Sequence, residues 1–318
     1  MLKTALTLLS PAGAAARLTV LIFHRVHAAV DPLFPDEPDA RRFDEVLGWL
    51  GAWFNVLPLD DAIRRLQAGS LPARAACITF DDGYADNHDV ALPLLQRHGL
   101  SSAFFVASGF LDGGRMWNDT VIESVRRTQL PQLDLRGVVD EEGGRFDLGD
   151  LATRRQTLHR LIGHLKYLPP DERLARVNAL AERAEVQPPT DLMMTSDQLR
   201  SLRGAGMVVG AHTVSHPILK TLSARQAADE IDSGRRWLEQ ALGERVSLFA
   251  YPNGRPGVDY APDVHPGMVR ELGFDAAVST HWGAARAGTD CYQLPRFTPW
   301  DRGRARFGLR LARNLLTS

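Results

Sequence analysis

The chain has 318 residues, 44% of them apolar and 24% charged, with a formal net charge of −1. That length supplies one large domain or two ordinary ones with a real core, and the near-zero charge gives no bulk electrostatic argument for a nucleic-acid partner. No apolar run is long enough to cross a membrane, and two cysteines, Cys77 and Cys291, suggest neither a disulfide framework nor a thiolate metal site.

The first stretch, MLKTALTLLSPAGAAARLTVLIF, faintly mimics a secretory signal through Lys3, a short apolar patch and the alanines at 14–16. Its apolar segment, 5–9, is shorter than the ~7–15 residues of an h-region, and Pro11 breaks the chain soon after it. It reads as a short segment feeding the first strand, and a cytoplasmic location is expected. From there short apolar runs alternate with amphipathic stretches, the signature of α/β architecture. The runs are 18–23, 76–80, 102–107, 207–211, 246–250, 275–279 and 292–297. Cys77, inside the second of them, is most simply a small buried hydrophobe.

Helices are expected at 41–54 and 60–69, and over 223–243, which opens on Ser223 and closes on Gly243. Thr195-Ser-Asp-Gln198 has capping-box spacing ahead of another helix with a glycine stop. Residues 112–190 break the alternation. They contain no clear strand, and 153–168 and 170–185 read as helices, so a helical insertion is expected within a single domain spanning 1–318. His159 and His164 inside it are expected to be surface or packing residues.

Polar, ligand-capable residues stand at the end of one run after another. His24 ends the first, Asp81 and Asp82 the second, His212 the fourth, Tyr251-Pro252 the fifth, and His281, one residue on, the sixth. In parallel α/β sheets the active site collects at the carboxyl ends of the strands, so these positions suggest one common site. In ITFDDG two adjacent carboxylates end an apolar run of the kind buried on both faces, where an unpaired carboxylate is costly. A tight Asp-Asp-Gly corner would account for them taken alone. HTVSH shifts the balance: His212 and His216, four apart, fall on one face if the segment makes a helical turn. Two histidines and one carboxylate form a zinc-type shell that leaves positions open for water and substrate. A second, adjacent carboxylate then has a task, which is to accept the proton of that water.

TFDDG together with HTVSH resembles the polysaccharide deacetylases, carbohydrate esterase family 4, and the resemblance runs from LIFHRV through GFDAAVST to LPRF, leaving out the insertion. It implies a distorted (β/α) barrel and a hydrolase that removes acetyl groups, N-acetyl groups first, from an acetylated glycan. It also implies one divalent metal ion, expected to be zinc, with cobalt, nickel or manganese as alternatives. Residue by residue, it implies that Asp81 is the catalytic base and that Asp82 binds the metal with His212 and His216. Tyr251-Pro252, in SLFAYPNG, would line the acetyl pocket, with the Tyr251 N–H as a candidate oxyanion donor.

Two departures from the family pattern matter. An arginine that orients the base commonly precedes the proline of the third motif; here the residues are Phe249-Ala250-Tyr251. The fifth motif commonly supplies a histidine acid after a leucine, and here Leu294-Pro295 is followed by Arg296, which stays charged and is no ordinary proton donor. The FAYP and LPR motifs with an early HRV resemble one branch of the family. Arg296 is therefore expected to reach Asp81 from a different strand and supply the missing pairing. By elimination His24 becomes the proton donor, with His281 behind it. Trp117 and Trp282 are candidates for stacking on a sugar. The rival readings are a hydrolase of a non-sugar amide on the same fold and a carbohydrate-binding protein with a decayed site.

Overall fold

A computed structural model describes residues 2–139 and 144–317. The strands are β1 (Leu18–Phe23), β2 (Asn55–Val56), β3 (Ala75–Phe80), β4 (Ala103–Val106), β5 (Gln132–Asp134), β6 (Arg145–Asp147), β7 (Val208–Ala211), β8 (Leu248–Ala250) and β9 (Ala276–Val278). The helices are α1 (Leu2–Leu9), α2 (Ala40–Trp53), α3 (Leu59–Gln67), α4 (Leu92–His98), α5 (Trp117–Arg127), α6 (Leu151–Leu165), α7 (Pro170–Arg183), α8 (Ser196–Gly204), α9 (Ala224–Leu242), α10 (His265–Glu271) and α11 (Arg304–Leu316).

The main sheet is parallel throughout and runs β1-β3-β4-β7-β8-β9, with β2 beside the first residues of β3. Every residue of β1 and β3 is buried: one face packs on helix residues such as Phe43, Leu47 and Leu95, and the other meets Phe105, Leu248 and Val278 of other strands inside the curled sheet; hence the unbroken apolar runs in the sequence. Where a helix must start or stop, the sequence carries the matching signal. Thr195 with Gln198 and Ser223 with Gln226 form reciprocal capping boxes, and Gly243 takes the left-handed conformation that ends α9. One aromatic residue from each of three neighbouring strands, Phe23, Phe80 and Phe104, joins a stack with centroids 5.4 and 5.0 Å apart. Phe23 and Phe80 are register partners and each ends its strand, so the first pair holds those two ends level.

The strand expected at 292–297 is not regular. Leu294 donates its N–H to Ala277 of β9 at 2.9 Å and accepts from Ser279, also at 2.9 Å. Phe297, three residues on, donates to Val20 of β1 at 2.7 Å and accepts from Ile22 at 3.1 Å. Pro295 between them has no N–H and cannot continue a ladder. The segment therefore changes partners at the proline and bridges the two edges of the sheet, curling it into a half-barrel.

The segment at 112–190 also departs from expectation, since it contains a hairpin in which β5 pairs antiparallel with β6, Leu133 opposite Phe146. Each strand has three residues and buries one of them, too short for an alternating pattern to be legible. The hairpin packs with α5, α6 and α7 around an apolar cluster that includes Val121, Val125, Leu161 and Leu180. The N-terminal stretch forms α1, which buries Leu6 and packs on α11 rather than running directly into β1. No described helix is long and apolar enough to cross a membrane.

If residues 294–297 close the sheet, Phe297→Ala should cost about 3–5 kcal/mol, the usual penalty for truncating a fully buried phenylalanine. Trp300→Ala, at a side chain 59% exposed three residues later, should stay within about 0.5 kcal/mol. Urea denaturation of the two variants measures both.

Candidate active site

The end of β3 turns sharply. Asp82 has φ 79° and Gly83 φ 93°, and a Cβ on Gly83 would lie 2.9 Å from Val106 Cγ1. Only glycine fits that position, while Asp82 holds a left-handed conformation that is uncommon outside glycine and collects at functional sites. The turn sends two adjacent carboxylates to different neighbours.

Asp81 is buried and meets Arg296 in a two-pronged ion pair, Nη1 to Oδ1 and Nη2 to Oδ2, both at 2.7 Å. The same guanidinium donates from Nε to the Ser279 carbonyl at 2.8 Å and from Nη1 to Thr79 Oγ1 at 3.3 Å, so its direction is fixed by both β9 and β3 neighbours. Burial works to raise the Asp81 carboxyl, but the Arg296 charge, followed by His212, outweighs it and holds Asp81 below the ordinary carboxylate range. A carboxylate has about four lone-pair directions and the fork takes two, leaving one on each oxygen.

Asp82 faces the histidines. Its Oδ1 lies 3.5 Å from His212 Nε2 and 3.4 Å from His216 Nε2, and the ligand atoms of the three residues all fall within 4.8 Å of one another. Oδ1 is buried and has no hydrogen-bond partner among the described residues. A buried carboxylate oxygen left open beside two imidazole nitrogens is a donor set that could hold a metal ion. Ligand bonds of ~2.0–2.2 Å place tetrahedral donors roughly 3.4 Å apart, which these separations match. His212 Nδ1 is 2.7 Å from the Ala250 carbonyl; a proton there turns Nε2, as acceptor, toward the centre. Burial pushes His216 down to about 4, so its ring is neutral and ready to ligate near neutral pH.

The two histidines do not converge through a helical turn. Residues 212–216 form a loop in which Thr213 (φ 67°) and His216 (φ 53°) are left-handed. Thr213 Oγ1 accepts from the His216 N–H at 3.1 Å. Glu230 of α9 accepts from the Val214 and Ser215 N–H groups at 3.0 and 2.9 Å and from the Ser215 hydroxyl at 2.7 Å. One helical carboxylate thus clamps the whole loop. α9 reaches it because position 234 is glycine: a Cβ there would lie 2.7 Å from the Thr213 carbonyl carbon and oxygen.

His24, at the end of β1, is exposed, and its ring is near enough to help lower both Asp81 and Asp82. Its carbonyl is held by Asn87 Nδ2 at 2.9 Å. Tyr251 does not supply the expected oxyanion donor. Its N–H donates to the Val278 carbonyl at 3.2 Å, the hydroxyl donates to the Tyr292 carbonyl, and the ring stacks on Tyr260 at 4.0 Å. Pro252, which has no N–H, is buried beside it. Trp282 is core rather than sugar platform, packed on Phe297 with Arg313 above it. His281 is exposed, and its carbonyl accepts from the Arg296 N–H.

A cavity of about 140 Å³ opens beside Asp82 and His216 and is lined also by Trp117, Lys166, Arg173 and Asn253. Sequence reasoning missed Lys166 and Arg173, since nothing in an amphipathic stretch marks which polar residue faces a cleft, and it missed Asn253, in the loop just past Pro252. It also missed the buried support beneath Asp82, where Arg25 pairs with Asp86 at 2.8 Å and lies over the Tyr84 ring, whose hydroxyl donates to Asp119 at 3.1 Å. Burial raises the Asp119 carboxyl to about 7.

Comparison with known proteins bears on the family and the fold. The family model for polysaccharide deacetylases matches residues 68–131 and 175–276, together just over half of the chain. The Bacillus subtilis protein YxkH, which carries the same family description, is 18% identical over 283 residues, 88% of this chain and 71% of YxkH. Among solved structures, the Streptococcus pyogenes deacetylase PplD, in complex with acetate, superposes with a TM-score of 0.59 at 18% identity, over 89% of this chain and 92% of PplD. IcaB from Ammonifex degensii gives 0.59 at 20% identity, over 94% and 98%. A de-N-acetylase from Aggregatibacter actinomycetemcomitans gives 0.55 at 17%, over 88% and 94%. At these identities the structures show a shared fold, the curled (β/α) barrel.

The close approach of α9 to the histidine loop gives a prediction with an unusual sign. Glycine to alanine inside a helix ordinarily stabilises by about 1 kcal/mol. Gly234→Ala should instead lower the melting temperature and weaken the uptake of any added divalent ion, because the new methyl pushes Thr213 and with it His212 and His216. Thermal unfolding and a chelator competition titration check the two effects.

Proposed function

The chain belongs to the polysaccharide deacetylase family of hydrolases, and from that premise we propose that it removes N-linked acetyl groups from a glycan with the aid of one divalent metal ion. The observation that carries the reading is the open Asp82 oxygen between His212 and His216, set beside a second carboxylate that is tied to arginine instead. Asp82, His212 and His216 would hold the ion, zinc being the best match to a mixed carboxylate and imidazole set. When bound, the ion supplies Lewis acidity toward the acetyl carbonyl and the attacking water.

Asp81 accepts the proton of that water. The Arg296 fork keeps it ionised and aimed, and one lone pair on each oxygen stays available. His24, at the open end of β1, delivers a proton to the departing amine, a step an amide needs more than an ester does because an amine leaves poorly unprotonated. Asn253, which lines the cavity shared with Asp82 and His216, takes the place intended for Tyr251 and donates to the developing oxyanion. Trp117 on the same wall offers an apolar face to a sugar ring.

The two carboxylates are separable by experiment. Asp81→Asn should retain the metal and lose at least ~10²-fold in acetate release, whereas Asp82→Asn should lose metal, read by elemental analysis after gel filtration. Equal metal loss in both would sink the assignment.

The arginine has its own signature. Arg296 lowers Asp81, so weakening the fork raises the Asp81 pKa, and the base then becomes protonated at higher pH. Arg296→Lys should accordingly move the acidic limb of the pH–rate profile upward without changing metal content. His24→Ala should remove the alkaline limb and slow the substrates with the poorest leaving groups most. Wild-type rates of His24→Ala on an amide would place the donor elsewhere.

A further inference from the structure

The cleft has a wall that the chemistry above does not use. The cavity beside Asp82 and His216 adjoins a second of about 210 Å³, and both are lined by Lys166, Arg173 and Ile218. Across the two, the one carboxylate in the lining is Asp82, whose place is with the histidines.

Arg173 is 9% exposed. One N–H donates to the Lys166 carbonyl at 3.0 Å, at the end of α6, and the guanidinium lies 5.0 Å over the Trp117 ring. No carboxylate pairs with it among the described residues, and burial, unopposed by any acid, pushes its pKa down. Capping α6 occupies one of five N–H groups. A cation placed out of water with no counter-ion is costly, and a chain that needed only a helix cap or a core filler would meet that need with an uncharged side chain. Lys166 Nζ is likewise without an ion pair among the described residues and sits 5.7 Å over the Tyr167 ring, at the outer end of the same groove.

We propose that Arg173 and Lys166 form an anion subsite that holds a carboxylate or phosphate borne by the glycan, next to the acetylated sugar, while Trp117 packs on the ring between that anion and the metal ligands. The inference rests on the deacetylase reading and narrows its substrate to an anionic glycan. An arginine fork matches either planar carboxylate or phosphate oxygens, and lysine adds a point charge that tolerates variation in where the group falls. Salt should weaken the preference, more at the partly exposed Lys166 end than at buried Arg173.

The test uses the zinc-loaded full chain and oligosaccharides of one length: neutral N-acetylglucosamine oligomers, oligomers carrying the lactyl carboxylate of N-acetylmuramic acid, and oligomers ending in a 1-phosphate. Acetate release gives kcat/KM and calorimetry gives Kd. A charged oligomer should exceed the neutral one about tenfold or more in both, the two charged arms identifying which anion fits. That ratio should fall about tenfold in Arg173→Gln and in Lys166→Gln, and should shrink with added salt. Lys166→Gln, at a partly exposed side chain, keeps the test decisive should Arg173→Gln fold poorly. Equal treatment of neutral and charged oligomers, or a preference that neither the substitutions nor salt alter, overturns the anion subsite. Preferential binding of charged oligomers without acetate release would overturn the deacetylase reading and leave the subsite standing.

Discussion

The ion pair between Asp81 and Arg296 is the constraint around which the rest is arranged. Two charges removed from water are tolerated only with close geometry and further hydrogen bonds to the groups left over. Here both prongs measure 2.7 Å, and two of the three other guanidinium N–H groups reach Ser279 and Thr79. Meeting those demands fixes the end of β3, the end of β9 and the bridging segment at 294–297 relative to one another. Asp82 is then free to turn away toward the histidines, because its neighbour has absorbed the arginine. Adjacent carboxylates would repel if they shared one partner; divided between Arg296 on one side and two histidines on the other, each has its own compensation.

Much of the site was legible in the sequence because its residues stand at strand ends, where a pattern of apolar runs ending in polar residues is visible without any coordinates. Asp81, Asp82, His212, His216 and Arg296 come together, and the half-barrel is the fold expected. What could not be read depends on backbone detail. His212 and His216 converge through two left-handed residues and a glutamate from α9, none of which a four-residue spacing discloses. The Tyr251 N–H is consumed by Val278, a fact of register rather than of residue type. Pro295 removes one hydrogen-bond donor and so converts an apparent strand into a bridge between two sheet edges. The hairpin at 132–147 buries one side chain per strand, below the threshold of any periodicity.

Polar residues within helices are the other class that sequence could not place. Arg173 and Lys166 lie in stretches that the sequence marks only as helical, and only packing shows that they share a cleft with Asp82. Gly234 illustrates the same point from the opposite direction. It looks like a weak spot in a long helix, yet its missing Cβ is what lets α9 lie against the histidine loop. Both depend on where a helix face points, which the periodicity of a single helix does not determine.

The separation of Asp81 from Arg296 along the chain, 215 residues, also sets a schedule. A ribosome adding ~5–20 residues per second needs roughly 10–40 s to pass from one to the other. Throughout that interval β3 can pair with β1 and β4, but the Asp81 carboxylate has no cation waiting for it. The nascent chain therefore meets a penalty for burying that strand end until the bridging segment emerges. The cluster is completed late, by one of the last parts of the barrel to be made, and a chain stalled before residue 296 would carry Asp82, His212 and His216 and still lack the cation that aligns Asp81.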